Sequence, residues 1–200
     1  MSNIIQPDAN PNQFLQKAMA NGFSMQESFF DPAIGDQISS ELEHAGYLVD
    51  YTELKPTTAF EANGMHFAQL LHSTISRLVC RVDTSSANPL PCFSVRVFTP
   101  GEHGTTVHRN DPSIGPWAVG LTLKGEAPFN VYSQHQLPDY DTLPLRGDES
   151  DPVPLETMNA DQGSAWTLYT KNQLVPHSSG IVHSQTQREL LIFYGTSWNR

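Results

Sequence analysis

Cys80 and Cys92 are the only two cysteines in 200 residues. They form no Cys-x-x-Cys pair and are too few for a tetrahedral sulfur site, which argues against a zinc ribbon or a disulfide scaffold and for two reduced thiols. Positive charge is scarce as well: 11 Lys and Arg against 21 Asp and Glu leave a formal net charge of −10. Nucleic acid and anionic membrane surfaces both need a basic face, so neither is an expected partner. No apolar run approaches the ~20 residues that cross a bilayer. The polar opening MSNIIQPDANPNQ has neither the basic nor the apolar region of a secretion signal, so a cytoplasmic location is expected. Three catalytic signatures are missing too. Without Gly-x-Ser-x-Gly, a Walker or Gly-x-Gly-x-x-Gly loop, or His-Glu-x-x-His, there is no case for a nucleophile-elbow hydrolase, for nucleotide binding by those loops, or for the commonest zinc protease.

What the chain does have is aromatic residues, with 10 Phe, 6 Tyr and 3 Trp spread along it, the mark of a folded protein. Its length suits a single domain, 1–200, with a core around a cavity. The first part, 1–88, reads as helical support. NQFLQKAMANG spaces Phe14, Leu15 and Met19 on one helix and stops at Gly22. DQISSELEHAG starts a second at Asp36 and stops at Gly46. MHFAQLLHSTISRLV carries a stripe of Phe67, Leu70, Leu71, Ile75 and Leu78. His66 and His72 lie on different faces of that third helix and do not share a metal.

From 89 to 200 the pattern shortens to strands: FSVRVF, WAVGLTL, FNVY, WTLY, GIVHS and RELLIFYG, with turn residues between them. This implies a mainly β, jelly-roll-like sandwich or barrel behind N-terminal helices. The proline- and acid-rich stretch near 134–160 reads as a lid-like insertion. Arg96 alternates with apolar residues in FSVRVF and faces either solvent or the barrel mouth. Of the strand aromatics Trp117, Tyr132, Trp166 and Tyr169, most belong to the core, and one or two line the cavity. His103 and His135 read as exposed.

The chemistry concentrates in TTVHRNDPSIGPW, with His108, Arg109, Asn110 and Asp111 in succession, and in NQLVPHSSGIVHSQTQRELLIFYG, with His177, His183 and Arg188. Two imidazoles and one carboxylate on one face of a metal make a non-haem iron site, leaving the opposite face open. A small β-barrel can bring such residues together from distant parts of a chain. The pattern RVFTPGEHGTTVHRND…WAVGLTLKG followed by LVPH…RELLIFYG resembles the 2-oxoglutarate- and Fe(II)-dependent oxygenases over about residues 94–197. That family has a double-stranded β-helix fold and carries a His-x-Asp/Glu motif, a distal His and, after it, an Arg.

The resemblance implies iron ligands at His108 and His177, Arg188 on the far carboxylate of 2-oxoglutarate, and O2 as the oxidant. It implies a small-molecule substrate oxidised at a C–H bond, usually by hydroxylation. Arg109, Trp117 and His183 are candidate substrate contacts, and His183 is also the rival distal ligand. The chain departs from the motif at one place, where His-x-Asp becomes His108-Arg109-Asn110. Three readings stay open: Asp111 reaches the metal through a different turn, Asn110 is an altered ligand, or the carboxylate is missing as in the family's halogenases, though Asn is bulkier than their usual Gly or Ala. Two other functions fit the fold. A cupin-like metal or ligand-binding protein accounts for the fold but not for Arg188, and its first motif needs a glutamate after the histidines where this chain has none from His108 until Glu126. A disabled oxygenase fold is the reading that Asn110 permits.

Overall fold

The computed structural model describes residues 4–85, 87–102, 105–110, 115–133, 152–171, 175–180, 182 and 187–195. The elements are α1 (Pro11–Asn21), β1 (Phe23–Gln26), α2 (Pro32–His44), β2 (Lys55–Pro56), α3 (Thr58–Ala62), α4 (His66–Val82), β3 (Cys92–Phe98), β4 (Trp117–Lys124), β5 (Ala127–Val131), β6 (Glu156–Ala160), β7 (Ala165–Tyr169), β8 (His177–Ser179) and β9 (Arg188–Tyr194). The strands form a six-stranded sheet in the order β1-β7-β4-β9-β3-β2 and a three-stranded sheet in the order β6-β5-β8. From β4 onward the chain moves back and forth between the two sheets, and every pairing is antiparallel. This is the double-stranded β-helix anticipated from the sequence.

The helices cover the outer face of the large sheet. α1 begins with the Asn10 side chain accepting from the backbone N–H of Gln13 and ends at Gly22, whose φ of 84° is the left-handed cap that glycine adopts most cheaply. α2 begins earlier than the sequence suggested. Asp31, not Asp36, caps it, by accepting from the N–H of Ala33 at 3.0 Å, and Pro32 occupies the first turn. Gly35 is therefore helical. It lies inside the helix against β4, where an added Cβ would meet the Leu123 carbonyl oxygen at 2.8 Å. α4 has no capping side chain of its own. Glu41 of α2 supplies one, its two carboxylate oxygens accepting from the N–H groups of Phe67 and Ala68 at 2.9 and 3.0 Å. The buried stripe of α4 is Ala68, Leu71, Ile75, Leu78 and Val79. Leu70, placed on that stripe from sequence, is 48% exposed, because it sits one residue off the i, i+3, i+4 series.

The large sheet is buried on both faces, and residue parity decides which core each side chain joins. Trp117, Val119, Leu121 and Leu123 of β4, Phe93, Val95 and Val97 of β3, and Leu191 and Phe193 of β9 pack with the helices. Phe98, Ala118, Trp166, Leu190 and Ile192 face the small sheet and pack with Phe129, Val131, Met158 and Ala160. Glu189 faces the helices and is buried. Its carboxylate accepts from Ser39 of α2 and from Gln187, and lies 3.7 Å from the Lys124 ammonium, so one acid ties α2 to β9.

Residues 134–151 lie outside the described part of the chain. The end of the supposed lid, 156–160, is strand β6, with Met158 and Ala160 buried and Thr157 and Asn159 exposed between them. Its alternation is short and follows a proline-rich stretch, which hid it in the sequence. No helix among the described residues is long and apolar enough to cross a membrane.

Candidate functional site

An open cavity lies between the two sheets. Arg96 and Phe98 reach it from β3, Leu190, Ile192 and Tyr194 from β9, and Trp166 from β7. Phe129 comes from β5, His177 and Ser179 from β8, and Thr105, His108 and Asn110 from the segment leading to β4. Each strand contributes alternate residues, as the two-residue period of a strand requires. Trp166 can lie over β4 because position 120 is glycine. A Cβ there would fall 2.1 Å from the indole carbons. Trp166 in turn stacks on Phe129 at 4.6 Å and 9°.

Two histidines far apart in sequence meet here. His108 and His177 form a mutual backbone pair, each N–H donating to the other's carbonyl at 3.0 and 2.9 Å. Directly opposed residues project to the same side, and the two rings lie 4.3 Å apart, centre to centre. Their backbones also fix their protons. Nδ1 of His108 is 2.8 Å from the Thr106 carbonyl, and Nδ1 of His177 is 3.0 Å from the Val175 carbonyl. A carbonyl only accepts, so each neutral ring carries its hydrogen on Nδ1 and keeps the Nε2 lone pair free. This is how metal-binding imidazoles are oriented from behind.

Both rings are held neutral. Burial lowers the His108 pKa, with the nearby Arg96 charge adding to it, against a backbone hydrogen bond that raises it. His177 is 4% exposed and flanked by Phe129 and Trp166. Burial, with the His108 charge second, lowers its pKa from 6.5 to about 3. In the unfolded chain His177 protonates near pH 6.5 and in the folded chain only near pH 3, so protons favour unfolding throughout that window. Stability of the metal-free protein is therefore expected to be full above pH 6.5 and to fall toward pH 3. His177→Gln is expected to flatten that fall by an amount on the order of a few kcal/mol. Urea unfolding of both proteins at pH 7, 5.5 and 4.5 checks this; parallel losses would mean that His177 is not the group responsible.

Arg188 begins β9 and is wholly buried. Nη1 donates to the Ser179 hydroxyl, while Nε and Nη2 have no partner among the described residues. Burial lowers its pKa from 12.5 to about 9, so the group is cationic at neutral pH. A buried cation with two unused nitrogens and no ion pair among the described residues is costly unless an anion completes it.

Asn110 reaches the same cavity as the two histidines, and its Nδ2 is buried with no partner among the described residues. Arg109, between His108 and Asn110, is half-buried and does not line the cavity, since adjacent residues of an extended chain point to opposite sides. Trp117 is not in the cavity either. It packs on the helix side, 1% exposed, with Nε1 donating to Asp83 at 2.9 Å and its ring 4.6 Å from Tyr169. The parity of β4 sends Ala118, Gly120 and Thr122 inward instead. Asp111, His183, His103 and His135 lie outside the described residues, and among the described residues no three His, Cys, Asp or Glu side chains gather into a metal-sized group. Ser179, Tyr194 and Phe98 were not singled out from sequence. The available signal was parity: Ser179 is two residues after His177, and Tyr194 is an even number of residues after Arg188.

No protein-family model matches the chain, and no curated protein matches it by sequence. Solved structures do resemble it. A Pseudomonas putida prolyl-4-hydroxylase is similar at a TM-score of 0.58 and 14% identity, covering 100% of this chain and 99% of that one. HygX from Streptomyces hygroscopicus, with nickel and 2-oxoglutarate bound, is similar at 0.57 and 19%, covering 95% and 88%. SnoN, a non-haem α-ketoglutarate-dependent epimerase from nogalamycin biosynthesis, is similar at 0.62 and 14%, covering 94% and 83%. The chain therefore has the double-stranded β-helix fold that these 2-oxoglutarate-dependent oxygenase structures share.

Proposed function

We propose that the chain is an iron(II)- and 2-oxoglutarate-dependent oxygenase that hydroxylates a C–H bond of a small molecule. The observation that carries this reading is a buried, incompletely paired Arg188 guanidinium behind a cavity that holds two imidazoles with free Nε2 lone pairs. His108 and His177 would hold the metal, and Arg188 with Ser179 would hold the far carboxylate of 2-oxoglutarate, for which a planar two-pronged cation is the matched donor. Asn110 or Asp111 would complete the metal set. When bound, iron(II), 2-oxoglutarate and O2 supply the oxidation of an unactivated C–H bond. The chain's own part is placement and dryness. The Phe129–Trp166 wall excludes water beside His177, the Nδ1 hydrogen bonds keep both rings aimed, and burial keeps them neutral. With both cysteines present as thiols, action in the reducing cytoplasm is the matching location.

The test is an anaerobic titration of the metal-free protein with Fe(II) and 2-oxoglutarate. A weak visible charge-transfer band is expected with the parent and not with Arg188→Ala. Iron binding without a band would sink the 2-oxoglutarate reading and favour a cupin-like metal protein. The second reading, a disabled oxygenase fold, is favoured by Asn110, and absence of any iron binding would select it.

A further inference from the structure

Arg96 lies in the cavity but has no task in the reading above. It sits in the middle of β3, pairs by an isolated backbone bridge with Tyr51, and holds its guanidinium carbon 4.5 Å from the centre of the Tyr51 ring. A cation–π contact of this kind steadies the side chain without consuming its N–H groups. The ion pairs among the described residues are Lys17–Glu156 and Lys124–Glu189, so none of those carboxylates answers Arg96. Tyr194 lines the same wall, and its phenol oxygen accepts from Ser94 at 3.3 Å, which leaves the phenol hydrogen free to donate. The charge of the wall is opposite to that of the whole molecule. The chain carries −10 overall, yet the described cavity lining contains Arg96 and no Asp or Glu.

The register separates this cation from the one assigned to the cosubstrate. Arg188 is opposite Phe98, and Arg96 is opposite Leu190, one inward-facing position further, about 7 Å along the strand. From this placement we infer that Arg96, with Tyr194 beside it, binds a carboxylate of the substrate, so that the substrate is a small organic acid. The inference rests on the oxygenase reading for the identity of the cosubstrate. A carboxylate suits the two donors, since it presents two oxygens in one plane to an N–H edge and a phenol hydrogen.

The test uses the full chain loaded with Zn(II), with and without 2-oxoglutarate, and N-acetyl amino acids paired with their primary amides as probes, read by ligand-observed NMR. In the parent, the acids are expected to bind about tenfold more tightly than their amides, and Arg96→Gln to bring that ratio near one. Arg96→Gln is also expected to leave 2-oxoglutarate affinity unchanged. A parent without acid preference, or a preference retained in Arg96→Gln, overturns the inference. So does loss of 2-oxoglutarate affinity in Arg96→Gln, which would mean that the cosubstrate spans both arginines. If the parent fails to bind 2-oxoglutarate at all, the oxygenase reading falls, and the acid-to-amide ratio measured without it still decides what Arg96 binds. Arg96→Lys, which keeps the charge, is expected to retain part of the preference and separates charge from general loss of shape.

Discussion

Arg188→Met is expected to have two opposite effects: to stabilise the ligand-free protein and to remove 2-oxoglutarate binding. Arg188 is 0% exposed, donates to Ser179 through one nitrogen, and leaves Nε and Nη2 without partners among the described residues. Desolvation of such a group is not repaid by the fold, as the lowering of its pKa to about 9 also indicates. Methionine fills similar volume with no charge, and replacing even buried ions that are paired by well-packed apolar residues often gains about 1–4 kcal/mol. The melting midpoint of the metal-free protein should therefore rise by several degrees. In the presence of metal, 2-oxoglutarate affinity should fall by about a hundredfold or more, because the carboxylate loses a charged, two-pronged donor inside a dry cavity. Calorimetry on parent and variant reads both quantities. A variant that melts lower and still binds 2-oxoglutarate would show that Arg188 is a structural strand-end arginine after all.

The parts of this site that were legible in the sequence are those that depend on residue type. A guanidinium at the head of RELLIFYG and histidines at 108 and 177 are unusual residues at the ends of β-branched or apolar runs. What the sequence could not show is pairing. That His108 and His177 are direct neighbours depends on a two-bond bridge between segments at the edges of the small sheet, and no local pattern encodes it. The misplacement of Trp117 has the same origin. Its strand is buried on both faces from Trp117 to Leu123, so there is no polar alternation to mark which face meets the cavity. The deciding residue is Gly120, whose missing side chain admits Trp166 and thereby fixes the inner face. Asp36 was read as the start of α2 where the structure caps it at Asp31, and contact with β4 explains a glycine at position 35 within that helix. Arg96 shows the reverse case. In FSVRVF its alternation was readable, and the structure decides between the two sides left open for it, placing it in the cavity wall.

The remaining question is the ligand that stands beside the two histidines, and here the largest gain of function is expected. Asn110 lines the cavity with His108 and His177, and its Nδ2 is buried without a partner, so the amide spends its desolvation cost on nothing within the described structure. Its neutral oxygen is a weaker donor to a divalent metal than a carboxylate, and two neutral imidazoles leave the charge of the ion uncompensated. Asn110→Asp is therefore expected to raise the affinity for Ni(II) or Co(II) by about tenfold or more, or about 1.4 kcal/mol. Asp111→Asn is the counterpart. If Asn110 occupies the third position, Asp111→Asn leaves metal affinity close to that of the parent while Asn110→Asp increases it. If the next residue supplies the carboxylate, Asp111→Asn abolishes binding and Asn110→Asp adds little, because the position is already filled. Metal titration followed by calorimetry on the three proteins distinguishes these outcomes. Failure of both the parent and Asn110→Asp to bind either ion would remove the metal from the site altogether, and with it the proposed reaction.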